Sequence, residues 1–229
     1  LNLDAGESVG AKGGARITRV GAERRLSLDL AARIEGLLPG PAAAVFAGTT
    51  QLDGSVGFAD SGALSFERLE IASRTARLEM RGRIGADRVA DVTLSARALP
   101  TEGGRTRAGE AEIERLVFDG SLKGPLARPR VAGSLNAAGL RGRGGGLDRI
   151  EASLAVEPAE KDRFAIRTDA RLDGLHLADR ALAAALGGSG ALRLRASGGP
   201  DGILDVETLR LDAETARLSY RGKLGQNPL

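Results

Sequence analysis

The chain has no cysteine and no tryptophan, and it has a single histidine, His176. Without cysteine there is no disulfide framework and no thiolate metal site. One histidine leaves imidazole clusters and Ser/His triads without members beyond His176. Aromatic residues are scarce, five Phe and one Tyr in 229 residues. A closed membrane barrel needs an aromatic girdle at each rim, and so few rings cannot supply two. No run of about 18 apolar residues is present to cross a bilayer as a helix. Charge of one sign is lacking as well. The 33 Lys and Arg are nearly balanced by 30 Asp and Glu and are mixed with them along the chain. This predicts a solvated surface of mixed sign, with no nucleic-acid partner. No P-loop, nucleophile elbow or metalloprotease motif occurs, so neither catalysis nor a cofactor is expected.

What is present is alternation. From Ala76 to Ile84, one side carries Ala76, Leu78, Met80, Gly82 and Ile84, and the other Arg77, Glu79, Arg81 and Arg83. Successive side chains of a strand point to opposite faces, so this segment reads as a strand apolar on one face and charged on the other. The same period of two runs through Leu26, Leu28, Leu30, Ile34, then Leu64, Phe66, Leu69, Ile71, then Val92, Leu94. It continues through Leu116, Phe118, Leu122, then Val131, Leu135, Ile150, Leu154, Phe164, Ile166. It returns in Leu192, Leu194, Leu204, Val206, Leu209, Leu211, Leu218, Tyr220 and Leu224. Leu64 and Phe66 are out of step with Leu69 and Ile71, and a bulge across Glu67-Arg68 would return both pairs to one face. With 33 glycines to punctuate the segments, the pattern predicts an all-β fold. Two short helices are expected, one at Pro41 to Ala47 and one at Ala178 to Leu186, the second opened by Asp179 and ended by Gly187-Gly188.

The chain also repeats itself. Residues 26–85 resemble 164–225, with Thr75-Ala76-Arg77-Leu78 matched by Thr215-Ala216-Arg217-Leu218 and Arg81-Gly82 by Arg221-Gly222. Residues 1–229 are therefore read as a single elongated unit rather than a closed globule. An apolar face running along the whole sheet must fold over, close or be filled. Many inward positions are Ala or Gly, among them Ala96, Gly120, Gly133 and Ala152. This favours a curved trough, with room for alkyl chains, over a filled sandwich or β-helix. The two Ala-rich helices are candidate lids.

The Ala-rich segment from Ala42, the stretch Leu64–Gly85, the second copy over 182–225 and the strand–turn–strand pattern of Phe118–Ala137 together resemble the TamB family of AsmA-like proteins. The resemblance covers most of the chain and is one of repeats, with no catalytic signature. It implies an elongated curved U-shaped β-sheet, a β-taco, with an apolar interior groove lined by the alternating residues named above. It also implies a periplasmic segment of a protein anchored in the inner membrane. Its partners would be phospholipid acyl chains on their way to the outer membrane and outer-membrane protein clients. An outer-membrane barrel partner would be engaged by regions that this segment, expected to be a piece of a longer protein, lacks. The alternative is a lipid-free β-scaffold that assists outer-membrane barrel clients by strand pairing. A carbohydrate-binding solenoid is the weaker third, for want of aromatic platforms.

Other features have bland readings. His176 is expected at a loop or strand end. Arg141-Gly142-Arg143-Gly144-Gly145-Gly146 is expected to be a turn between strands, since no aromatics interleave it for base stacking. Glu110, Glu112 and Glu114 read as the solvated face of a strand, and Glu157, Glu160, Lys161 and Asp162 as a polar turn.

Overall fold

The computed structural model describes residues 2–4, 10–21, 23–33, 48–98, 105–108, 111–160, 163–199 and 203–224. They form one open antiparallel sheet with one short helix. Strands β1 (Asn2–Asp4), β2 (Gly10–Val20), β3 (Glu23–Arg33), β4 (Thr49–Ala59), β5 (Leu64–Ala72), β6 (Ala76–Ile84) and β7 (Val89–Ala98) follow one another across the sheet. A small hairpin of β8 (Thr106–Ala108) and β9 (Ala111–Ile113) stands off this path and touches β11. The path resumes with β10 (Arg115–Pro125), β11 (Arg130–Gly142), β12 (Gly145–Pro158), β13 (Phe164–Leu177), β14 (Ser189–Gly198), β15 (Leu204–Ala213) and β16 (Arg217–Leu224). Fourteen strands at about 4.8 Å make a sheet about 60 Å long. Each main strand pairs only with its neighbours along the path, apart from the contact of β11 with β9.

The repeat is visible in the register. Ser55 pairs with Arg68 and Val56 with Phe66, skipping Glu67. At the equivalent place Arg195 pairs with Thr208 and Ala196 with Val206, skipping Glu207. The bulge expected at Glu67 is thus present, and it recurs 140 residues later. The following turns match too, with Ser73 N–H donating to the Ala76 carbonyl and Ala213 N–H to that of Ala216. Strands β3–β6 reappear as β13–β16, eight positions further along the sheet, or about 38 Å. Eight is even, so strand direction is preserved and equivalent connections emerge at the same rim. Strands β3, β7 and β13, which precede the three longest intervals between successive strands of the main path, all end at one rim.

Helix α1 (Arg180–Leu186) lies in the last of those intervals. Asp179 caps it by accepting from the Ala181 and Leu182 amides at 2.8 and 3.1 Å, and Gly187 ends it. Thr215 donates to the Ala185 carbonyl at 2.5 Å, and the Ala178 amide donates to Gly144. These bonds fix the helix to the turns at the strand ends. None of its residues is buried, and Leu182 is 55% exposed. The described helix therefore sits at the rim and is not a lid seated among the apolar side chains. The helix expected at Pro41 to Ala47, and Ile34 before it, lie outside the described residues.

The charged face is held by cross-strand networks. Glu70 and Glu79 stand directly opposite each other, an unfavourable pairing of like charges. Arg77 lies 3.0 Å from Glu70, Arg68 lies 2.7 Å from Glu70 and 3.7 Å from Glu79, and Arg81 lies 2.6 Å from Glu79. In the second copy Arg210 replaces Glu70 and Asp212 replaces Ala72. There Asp212 takes both Arg217, at 2.5 Å, and Arg210, at 3.0 Å. The charges change, but each copy keeps a network in which the cations outnumber the carboxylates by one.

The chain exposes 14704 Å², against about 9,800 Å² for a compact monomer of this mass. The buried apolar residues among those described are Val56, Leu69, Ala76, Ala90, Val92, Ala137, Ala196 and Val206. All eight belong to one face of the sheet.

Candidate apolar binding face

Residues directly opposite one another in an antiparallel pair share a face, so the register shows which predicted residues come together. From Leu28 one row of neighbours runs through Gly54, Leu69, Met80, Leu94, Gly120, Gly133, Leu154, Thr168, Leu194 and Leu209 to Tyr220. A second runs from Leu26 through Val56, Phe66, Gly82, Val92, Leu122, Val131, Val156, Ile166, Ala196 and Val206 to Gly222. A third runs from Leu30 through Leu52, Ile71, Leu78, Ala96, Phe118, Leu135, Ala152, Ala170, Leu192 and Leu211 to Leu218. Shorter rows beside them hold Leu64 with Ile84, Leu116 and Ile150 about Ala137, and Phe164, Leu204 and Leu224 about Gly198. Every predicted lining residue except the undescribed Ile34 therefore lies on one face. Thr168 and the hydroxyl-bearing Tyr220 are the two polar side chains in the three rows.

The face also includes Leu172 and Val156, which continue the alternation of β13 and β12, and Leu52 and Val56, which flank Gly54 in β4 and were not singled out as lining. Their own period of two was the available signal. The small residues do not all leave space. A Cβ built on Gly120 or Gly133 would lie 2.7 or 2.6 Å from Phe118 Cζ. The Phe118 ring thus lies across both glycines and fills the place where side chains would stand.

Toward the ends of the sheet the face is more open. Ile17 is 71% exposed, Leu218 52% and Leu224 46%. At the rim where β6 ends a cavity of about 580 Å³ is lined by Leu64, Ile84, Ala63 and Val89 together with Glu23, Arg83, Asp87 and Asp91. Apolar and charged groups meet there within one recess.

The remaining candidate groups are placed as follows. His176 sits near the end of β13 and its Nε2 lies 2.9 Å from Asp148 Oδ2, while Arg141 reaches Asp148 Oδ1 at 2.9 Å. His176 first, then Arg141, hold the Asp148 carboxyl below its usual range. The glycine run is the expected turn, with β11 ending at Gly142 and β12 starting at Gly145. Glu112 and Glu114 are not the face of one regular strand. Strand β9 ends at Ile113, and Arg105 reaches both carboxylates, at 3.5 and 2.8 Å. Their contact holds the Arg105 guanidinium more firmly protonated than usual, Glu114 contributing most. Glu110, Lys161 and Asp162 lie outside the described residues. Among the described residues no three His, Cys, Asp or Glu side chains are placed to share a metal ion, and no helix is long and apolar enough to cross a membrane. No family model matches the chain, and no curated protein or solved structure is significantly similar to it.

Proposed function

We propose that this chain shields phospholipid acyl chains along its apolar face, as a groove-shaped segment of a longer protein that carries lipid between the inner and outer membranes of a bacterial envelope. One observation carries the reading: three rows, apolar or small except at Thr168 and Tyr220, cross the sheet from β3 to β16 on one face, while the charges of β6, β7 and β10 lie on the other. Alkyl chains are the natural cover for such a face, since each CH₂ withdrawn from water contributes about 0.8 kcal/mol. A sheet curved into a β-taco, as the TamB resemblance implies, would wrap such chains. The periplasmic setting and the support of outer-membrane protein assembly rest on that resemblance as well. The proposal assigns no catalysis and no cofactor.

The test is native isolation of the chain from a Gram-negative host, followed by mass spectrometry of bound lipid. Phospholipid is expected to co-purify in stoichiometric amount. Leu78→Arg and Leu218→Arg are expected to lower it at least about fivefold with strand content by circular dichroism unchanged, because a guanidinium on an acyl-chain wall must be desolvated. Folded chain that is free of lipid and takes up none from vesicles would sink the proposal.

A further inference from the structure

The two copies of the repeat share an apolar face and differ on the charged one. In the first copy Ser27 stands opposite Ser55, and at the same place in the second Arg167 stands opposite Arg195. Beside these pairs Asp53 stands opposite Glu70, and Arg193 opposite Arg210. Where the first copy has two hydroxyls and two carboxylates, the second has four guanidinium groups. Both copies join these strands in one register with the same bulge, so the backbone does not call for arginine at any of the four places.

The four arginines make one zigzag over β13, β14 and β15, in the order Arg167, Arg195, Arg193, Arg210. Residues directly opposite have Cβ atoms about 5 Å apart, and residues two apart on a strand about 7 Å. Like charges so placed destabilise a sheet. The neighbouring carboxylates relieve them in part. Glu157 lies 3.4 Å from Arg167 and Asp169 lies 3.8 Å from Arg193. Asp212, 3.0 Å from Arg210, is shared with Arg217. Arg195 faces Thr208. Among the described residues its side chain has no hydrogen-bond or ion-pair partner, Glu207 at the adjoining bulge included. Beside Arg193 lies a recess of about 470 Å³, bordered also by Arg171, Asn136, Ser134 and Ser153 and by the acids Glu151 and Asp169.

We propose that Arg167, Arg193, Arg195 and Arg210 bind a doubly charged phosphate group, a phosphomonoester or its pyrophosphate analogue. A phosphomonoester carries close to two negative charges at neutral pH and three acceptor oxygens. Set between Arg167 and Arg195, it offsets both cations at once. A carboxylate brings one charge and two oxygens, too little for a facing pair. The planar fork of each guanidinium suits such oxygens. The recess beside Arg193 leaves room for the molecule that bears the phosphate. This site lies on the face opposite the apolar rows and does not rest on acyl-chain shielding.

Two probes test it with the whole chain. Inorganic pyrophosphate, followed by calorimetry at fixed ionic strength, is the soluble one. Vesicles of phosphatidylcholine with and without phosphatidic acid are the lipid one. Saturable pyrophosphate binding is expected. Arg167→Ser with Arg195→Ser, which installs the residues of the first copy, should weaken it about tenfold or more. The urea midpoint should not fall, because a like-charge pair is removed. Arg81→Ser with Arg83→Ser takes the same charge from the first copy and should leave the affinity unchanged. Recruitment to phosphatidic-acid vesicles, reversed by pyrophosphate, would mark a lipid head group as the source. Pyrophosphate binding without recruitment would mark a soluble phosphate. Absence of saturable pyrophosphate binding, unchanged affinity in the Arg167/Arg195 variant, or an equal loss in the first-copy variant overturns the proposal. The pyrophosphate titration contains no lipid, so its failure is distinct from a failure of acyl-chain shielding.

Discussion

At the scale of single residues, what holds this sheet is backbone proximity as much as side-chain burial. Gly82 and Gly14 are both strand glycines, but their surroundings are opposite. The site of a side chain on Gly82 is filled by the backbone of β7, whereas nothing lies within 4 Å of one on Gly14. Gly82→Ala must strain φ and push two strands apart, and is expected to cost about 2–4 kcal/mol. Gly14→Ala should stay within about 0.5 kcal/mol of the parent. Urea midpoints of the two variants check the contrast, and equal midpoints would mean that the close approach has no energetic weight. Phe118 works in the reverse sense, with one ring standing in for the side chains that Gly120 and Gly133 lack. Phe118→Ala removes the cover from two glycines at once and is expected to cost about 3 kcal/mol.

At the scale of elements, the rim where β13 ends is fastened by carboxylates. Glu214 accepts from the Ser189 hydroxyl at 2.7 Å and the Gly188 amide at 3.2 Å, and these bonds, the hydroxyl first, hold its carboxyl below the usual range. Asp212 is lowered by Arg217 first and then Arg210. Such groups bind a proton more weakly folded than unfolded. Their contribution is complete above the ordinary carboxylate range and is lost as pH falls below about 4 and through the depressed values. The corner joining α1, β14 and the β15–β16 turn is therefore expected to open first in acid. Glu214→Gln should reduce that acid sensitivity, as read by the pH dependence of proteolytic cleavage near Gly187. This corner also shows which parts of the fold could be read in advance. Asp179, Gly187 and the alanines between them announce a helix through local chemistry, and the phase slip at Glu67-Arg68 announces a bulge through the period of two. The bonds from Glu214 to Gly188 and from Thr215 to Ala185 join residues about 30 apart, and no local pattern encodes them. The candidate face was legible for the same reason as the bulge, since parity along each strand fixes which side chains share a side. Its filling by Phe118 was not, because that depends on how one ring lies across two strands.

At the scale of the whole molecule, a sheet in which each main strand meets essentially only its neighbours along the path has no single centre to lose. Stability is then close to a sum of local interfaces, and cooperativity decays with distance along the sheet. Val206 tests this well, being fully buried between Ala196 of β14 and Gly222 of β16. Its counterpart Phe66 stands about 38 Å away, eight strands earlier. Val206→Ala is expected to destabilise its surroundings by about 2 kcal/mol. In a compact two-state domain that loss would lower protection from hydrogen exchange everywhere the slowest amides are found. Here the amides of β14–β16 should exchange faster by a factor of roughly 30, while those of β4–β7 keep their rates. A uniform loss across both copies would mean that the two ends are coupled through contacts beyond neighbouring strands, such as a face closed upon itself. The same experiment repeated with bound phospholipid separates the two roles of the face. Acyl chains lying along the rows would couple strands that the lipid-free sheet leaves independent, and the effect of Val206→Ala should then spread towards β7.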